Sequence, residues 1–191
     1  MTAEPTFLVL PGYQNSGPEH WQSRWERQDP AAFRRVEQGD WDHPSLGDWV
    51  DTLDRAVIRA LADGPGPVVL VAHSLGCTTV AHWAAAHSRP VRAALLVAPP
   101  DIETAEVPEL FGFRPIPRQP LPFPSLLASS SDDPWCSTER ARAFADSWGS
   151  AFVDAGAHGH LNSDSGLGDW PEGRELLARL LETEPGAGAI G

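Results

Sequence analysis

The stretch that most constrains this chain is Val68-Val-Leu-Val-Ala-His-Ser-Leu-Gly-Cys77. A β-branched apolar run, Val68 to Val71, predicts a strand. It stops abruptly at Ala72-His-Ser-Leu-Gly76, and the alanine-rich residues from Cys77 to His87 predict a helix. Where a strand doubles back into a helix at a serine, larger side chains two positions before and after that serine collide. The positions are filled here by Ala72 and Gly76. The usual pattern has glycine at both, and alanine is the smallest replacement. The five-residue pattern alone is weak, since it arises by accident in roughly one chain of this length in ten. Its weight comes from the strand before it and the helix after it. The competing reading is an ordinary strand-to-helix turn with Ser74 as a helix N-cap.

Composition narrows the chemistry. A length of 191 residues suits one domain with a sizeable core. The formal net charge is −12, and such a surface disfavours nucleic acid and anionic membrane as partners. All 14 basic residues are arginine. Without lysine there is no P-loop lysine, no Schiff base and no Ser-Lys dyad, which leaves histidine as the general base. Two cysteines, Cys77 and Cys136, make no disulfide framework and suit a reducing compartment. No apolar run approaches a membrane span, and the first residues carry neither a basic nor an apolar leader segment. A cytoplasmic protein is expected.

Along the chain, strands are expected at Phe7–Leu10, Ala32–Val36, Val68–Val71, Val91–Val97, Ser125–Ser129 and Ala151–Val153. Helices are expected from about Trp21, from Ser45 to about Ala62, from Cys77 to His87, from Ser137 or Thr138 to Trp148, and from Glu172 to Glu182. Trp21 and Trp25 share one helical face. The span from Asp101 to Pro124 is irregular, with six charged residues and prolines at 108, 115, 117, 120, 122 and 124. It either covers a site, with phenylalanines lining it, or runs as a surface crossover. Strands separated by helices throughout give a three-layer α/β sandwich with a mostly parallel sheet. Residues 1–183 read as a single domain, and the Gly-rich 184–191 as a flexible tail.

In such a sheet, loops at the carboxyl ends of the strands gather on one edge, and Ser74 lies on one of them. An acid and a histidine are sought on later loops. Asp132 and Asp133 leave the end of the Ser125–Ser129 strand. Asp133 is preferred because Pro134 holds it extended. Only His158 and His160 follow it. His160, placed after Gly159 in a tight loop, is the better candidate. The other five histidines read as packing, capping or solvent-facing. Ser74 is then the nucleophile, His160 the base and Asp133 its orienting carboxylate. The tetrahedral oxyanion needs backbone donors, expected from Leu75 and from Tyr13. His158-x-His160 lacks companions of zinc spacing, so neither a metal nor another cofactor is expected.

With these residues in view, the chain resembles the retinoblastoma-binding-protein-nine-like family of small serine hydrolases, within the α/β-hydrolases. The resemblance runs from about Phe7 to Leu181. It rests on Leu10-Pro-Gly12, Gly17-Pro-Glu-His-Trp-Gln-Ser-Arg-Trp25, Ala72-His-Ser-Leu-Gly76, Ser131-Asp-Asp-Pro134 and the long Gly159-His-Leu-Asn-Ser-Asp-Ser-Gly-Leu-Gly-Asp-Trp-Pro-Glu-Gly173. Carried over by motif, it implies a compact α/β-hydrolase fold, nucleophile Ser74, acid Asp133 and histidine His160. It adds to the preference for His160 over His158. Ala72 departs from the glycine often found there. The implied activity is hydrolysis of small carboxylic esters, with thioesters or amides as variants, on a small acyl substrate. The alternative is a binding module on a hydrolase scaffold, for which eight tryptophans leave room.

Overall fold

The structure is a computed structural model and describes residues 3–183. The tail expected over 184–191 lies outside the described residues. Six strands form one sheet: β1 (Thr6–Leu10), β2 (Phe33–Arg35), β3 (Val68–His73), β4 (Ala93–Val97), β5 (Ser125–Ser129) and β6 (Ala151–Asp154). Their order is β2-β1-β3-β4-β5-β6, and all five pairings are parallel. Five helices cover it: α1 (Trp21–Gln28), α2 (Leu46–Asp63), α3 (Leu75–Ala86), α4 (Thr138–Trp148) and α5 (Pro171–Glu182). The α/β sandwich expected from the alternation of strands and helices is the observed architecture.

Side-chain alternation along the strands builds two cores. In β1, Leu8 and Leu10 join Leu70, Ala72, Leu96 and Leu127 under α2, α3 and α4. Phe7 and Val9 face the other way, with Val69, Val71, Leu95 and Val97, under α1 and α5. Successive residues of a strand point to opposite faces, so a strand covered on both sides must be apolar at every position. Every residue of β3 is buried, as is every residue of β4 and β5.

The order of the strands determines where a site can form. From β1 the chain moves outward to β2, then returns past β1 to β3 and continues in the opposite direction. Right-handed crossovers put the helices of those two excursions on opposite faces. The loops after β1 and β3 therefore diverge and leave a crevice at the carboxyl edge between two adjacent strands. Gly12 and Tyr13 follow β1 there, and Ser74 follows β3.

Ser137 proves to be the N-cap of α4, its hydroxyl accepting from the Arg140 amide at 3.2 Å. Ser45 occupies the cap position of α2 but makes no cap bond through its side chain. The span from Asp101 to Pro124 holds one 3-10 segment, Pro108–Phe113. Of the two readings of this span, the one in which its phenylalanines line a site is corrected. Phe113 and Phe123 are buried in the core beneath α2 and α3, and Phe111 lies exposed under the Arg114 guanidinium. The span is fastened down by charge. Buried Asp101 takes a bidentate pair from Arg140 at 2.7 and 2.9 Å, and Glu103 binds both Arg118 and Arg140 at 2.7 Å. Its one contribution to the crevice beyond β1 and β3 is Leu110.

Candidate active site

Ser74 sits between β3 and α3 with φ 54° and ψ −126°. A non-glycine residue in that region costs on the order of 1–3 kcal/mol and persists only where its surroundings over-determine it. Here its amide donates to Val97 O at 2.9 Å, and its carbonyl accepts from the Cys77 amide at 2.8 Å. The side chain makes no cap bond, so the plain N-cap reading of Ser74 fails. The small residues have visible reasons. A Cβ on Gly76 would overlap the carbonyl oxygen of Leu10, and one on Gly12 would lie 2.7 Å from Ser74 Cβ. Ala72 is fully buried and is accommodated between Leu10 and Leu96 in the sheet.

Three side chains from three loops meet at the crevice. Ser74 Oγ donates to His160 Nε2 at 2.8 Å. His160 Nδ1–H donates to Asp133, with its two oxygens at 3.0 and 2.9 Å. The Asp133 side chain is wholly buried and also accepts from the Trp135 amide at 2.9 Å. A hydroxyl bonded to an imidazole, itself held by a buried carboxylate, can shed its proton as its oxygen attacks a carbonyl. The amides of Tyr13 and Leu75 donate to no acceptor within the described residues, and both residues line the crevice. Leu75 also opens α3, where the helix dipole favours negative charge.

Asp132 and His158, the rival candidates, have other duties. Asp132 accepts from Ser130 Oγ at 2.8 Å and from the Gly159 amide at 2.7 Å. Those two bonds, the Ser130 one foremost, hold its carboxyl below the usual range. His158 takes part through its backbone amide, which donates to Ser130 Oγ at 2.8 Å. Together they brace the loop that carries His160.

Several contributors had no role at the site assigned to them from the sequence. His73 Nε2–H donates to the His160 carbonyl at 2.9 Å, joining the end of β3 to the histidine loop. A carbonyl only accepts, so Nε2 carries the proton. Burial, then the neighbouring His20 and His160, hold the His73 imidazole well below its ordinary pKa, and it stays neutral. His20 Nδ1 caps α1 by accepting from the Gln22 amide at 3.1 Å, and burial, then Arg35, pushes its pKa down to about 3. Gln22 Nε2 donates to the carbonyls of Leu10 and Val71, both at 3.1 Å, tying together the ends of β1 and β3. Trp21 donates to Leu161 O at 2.8 Å and Trp25 to Asp169 O at 2.7 Å. The two longest motifs of the sequence, Gly17–Trp25 and Gly159–Gly173, are thus one structure, in which Trp21, Trp25 and Trp170 pack together beneath the His160 loop. The sequence signal was there as paired motifs of unusual residues; their contact was not.

The crevice has a volume of about 380 Å3. Tyr13, Leu75, Pro100, Leu110 and Trp135 supply its apolar wall, and Gln14, Asn15, Asn162, Ser163 and Asp164 its polar one. Among the described residues, no group of three or more His, Cys, Asp or Glu is placed to hold a metal ion. No helix among them is long and apolar enough to cross a membrane.

The serine hydrolase family profile matches residues 7–179. Among solved structures, the chain is similar to a hydrolase of Pectobacterium atrosepticum described as YdeN-like, with 34% identity, 94% of this chain and 91% of that one covered, and a TM-score of 0.81. It is similar in fold to the ydeN gene product of B. subtilis, with 18% identity, 95% and 100% covered, and a TM-score of 0.73. It is likewise similar in fold to Est1E from Butyrivibrio proteoclasticus, with 12% identity, 96% and 90% covered, and a TM-score of 0.71. No curated protein matches the chain. With its profile spanning the sheet and the elements that carry Ser74, Asp133 and His160, the chain belongs to the serine hydrolase family and has the α/β-hydrolase fold.

Proposed function

We propose that this serine hydrolase cleaves small carboxylic esters through Ser74, His160 and Asp133, within the retinoblastoma-binding-protein-nine-like group that its motifs resemble. The observation that carries the reading is the unbroken series of hydrogen bonds from Ser74 Oγ through His160 to a fully buried Asp133. Ser74 Oγ attacks the acyl carbon while His160 Nε2 takes its proton. The oxyanion is met by the amides of Tyr13 and Leu75, each such donor being worth about 2.7–4 kcal/mol to the transition state. The C–O bond to the alcohol breaks, and the departing oxygen takes the proton from His160. Water, activated by the same imidazole, then attacks the acyl-serine and releases the acid. Asp133 holds the imidazole in the tautomer this needs. The crevice volume of about 380 Å3 suits a small acyl group. On the same reading, residues 1–183 are one domain, and the buried free thiols of Cys77 and Cys136 suit a reducing, cytoplasmic setting.

The test is labelling with a fluorophosphonate probe, followed by peptide mapping and a panel of acyl esters. A single adduct on Ser74 is expected, with Ser74→Ala losing both label and hydrolysis. His160→Ala should lose far more activity than His158→Ala. A folded protein that takes no label would refute the reading and favour a binding module on this scaffold.

A further inference from the structure

Trp135 stands out among the large apolar side chains of the described residues. Three of them are exposed, Ile58, Phe111 and Trp135, and only Trp135 lies at the site. It follows the buried Asp133 by two residues. Its backbone is fixed at both ends: its amide donates to Asp133 Oδ1 at 2.9 Å, and its carbonyl accepts from the Asp101 amide at 2.8 Å. The residue is 38% exposed, and its ring centre lies 6.1 Å from that of His160. Together with His160 it lines both the crevice over Ser74 and a second, open recess. That recess is lined by Pro134, Ala157, His158, Gly159 and Ser165, with Asn162 and Asp164 shared between the two.

The reaction itself says what passes this ring. The proton that His160 Nε2 removes from Ser74 goes to the oxygen of the departing alcohol, so that oxygen must come within hydrogen-bond reach of His160. The body of the alcohol then lies against whatever flanks the imidazole on its open side. A partly exposed indole on a fixed backbone there offers an apolar face to a planar group, and covering that face removes apolar surface from water.

We propose that Trp135 is a specificity-determining residue for the leaving group, and that the preferred substrates are esters whose alcohol carries an aromatic or similarly flat apolar group. The proposal rests on the hydrolase reading of Ser74, His160 and Asp133. The C–O bond that breaks and the proton that moves are those given above, and no further reactant is needed.

The experiment compares kcat/KM for phenethyl acetate and ethyl acetate, which share an acyl group and have alcohols of similar basicity. The wild-type protein should favour the phenethyl ester. Trp135→Ala should lower the phenethyl-to-ethyl ratio by about tenfold, the scale of one well-covered aromatic contact, and Trp135→Phe should keep most of it. Both variants retain the backbone amide that holds Asp133, so Ser74 labelling by a fluorophosphonate should persist. A labelled wild-type protein with no preference, or a ratio that Trp135→Ala leaves unchanged, would overturn the role of Trp135 alone. A wild-type protein that hydrolyses neither ester and takes no label would overturn the underlying hydrolase site and this proposal with it.

Discussion

Replacing His73 by leucine separates positioning from chemistry at this site. His73 touches neither the Ser74 hydroxyl nor Asp133; it holds the His160 carbonyl from behind at 2.9 Å. Leucine keeps much of the volume but removes the donor, leaving a part-buried carbonyl without a partner. Such an orphaned group costs about 1–3 kcal/mol. For a chain of this length each kcal/mol lowers Tm by about 2–4 °C, so a fall of about 2–12 °C is expected. The activity should suffer more than stability alone implies. Freed from this tether, the His160 loop loses one of its supports, and a displacement of about 1 Å can cost on the order of a hundredfold in rate. The fall should appear in kcat at a temperature where the variant is fully folded, with KM nearly unchanged. His73→Gln, whose amide reaches about as far as Nε2 and carries a donor, should recover most of it. Calorimetry and steady-state kinetics on the two variants are sufficient. A leucine variant with reduced Tm and wild-type kcat would refute the positioning role, as would a glutamine variant no better than the leucine one.

Other outcomes follow from the same contacts. His20 is neutral in the fold with its pKa pushed down to about 3, below its ordinary value, so its contribution to stability is complete above about pH 6.5 and is lost as pH falls toward 3. His20→Asn keeps a cap acceptor but cannot titrate there; between pH 6 and 5 the wild type should lose about 1 kcal/mol more than this variant in denaturant melts, and parallel curves would refute the assignment. Gly76→Ala drives a Cβ into the Leu10 carbonyl, which is backbone and cannot step aside; a loss of about 1–3 kcal/mol and much weaker Ser74 labelling are expected, and an unperturbed, fully labelled variant would contradict the close approach. Trp21→Phe removes the donor to Leu161 O, next to His160; a kcat loss exceeding any rise in KM is expected, and unchanged kcat would confine Trp21 to packing.

Much of the fold was legible because its signals are local. β5 was readable at Ser125–Ser129 and α4 at Thr138–Trp148, since an apolar run and a capped amphipathic helix declare themselves within a dozen residues. The strand–serine–helix turn was legible for the same reason: crowding at Ala72 and Gly76 is a constraint that neighbours in the chain impose on each other. The phenylalanines of the Asp101–Pro124 span were left with two readings because burial there depends on what lies beneath. Composition marks Phe111 and Phe113 alike, yet one is exposed and the other is in the core.

By itself, the sequence narrowed the candidates for the proposed chemistry to a few residues. Ser74 lies at a turn that only small neighbours permit, two carboxylates end a later strand, and two histidines lie beyond them in a chain without lysine. Asp133 and His160 were already preferred from their neighbours Pro134 and Gly159, but only the tertiary structure brings the chosen members of each pair together. Asp133 rather than Asp132 faces the imidazole, and His160 rather than His158 faces the serine, because loops 86 and 27 residues apart are brought to one edge of the sheet by its strand order. The same closure gave His73, Gln22 and Trp21, known from the sequence as motif members, their place as supports of that edge. A hydrogen bond across such distances is set by where two elements pack, and no local periodicity encodes it.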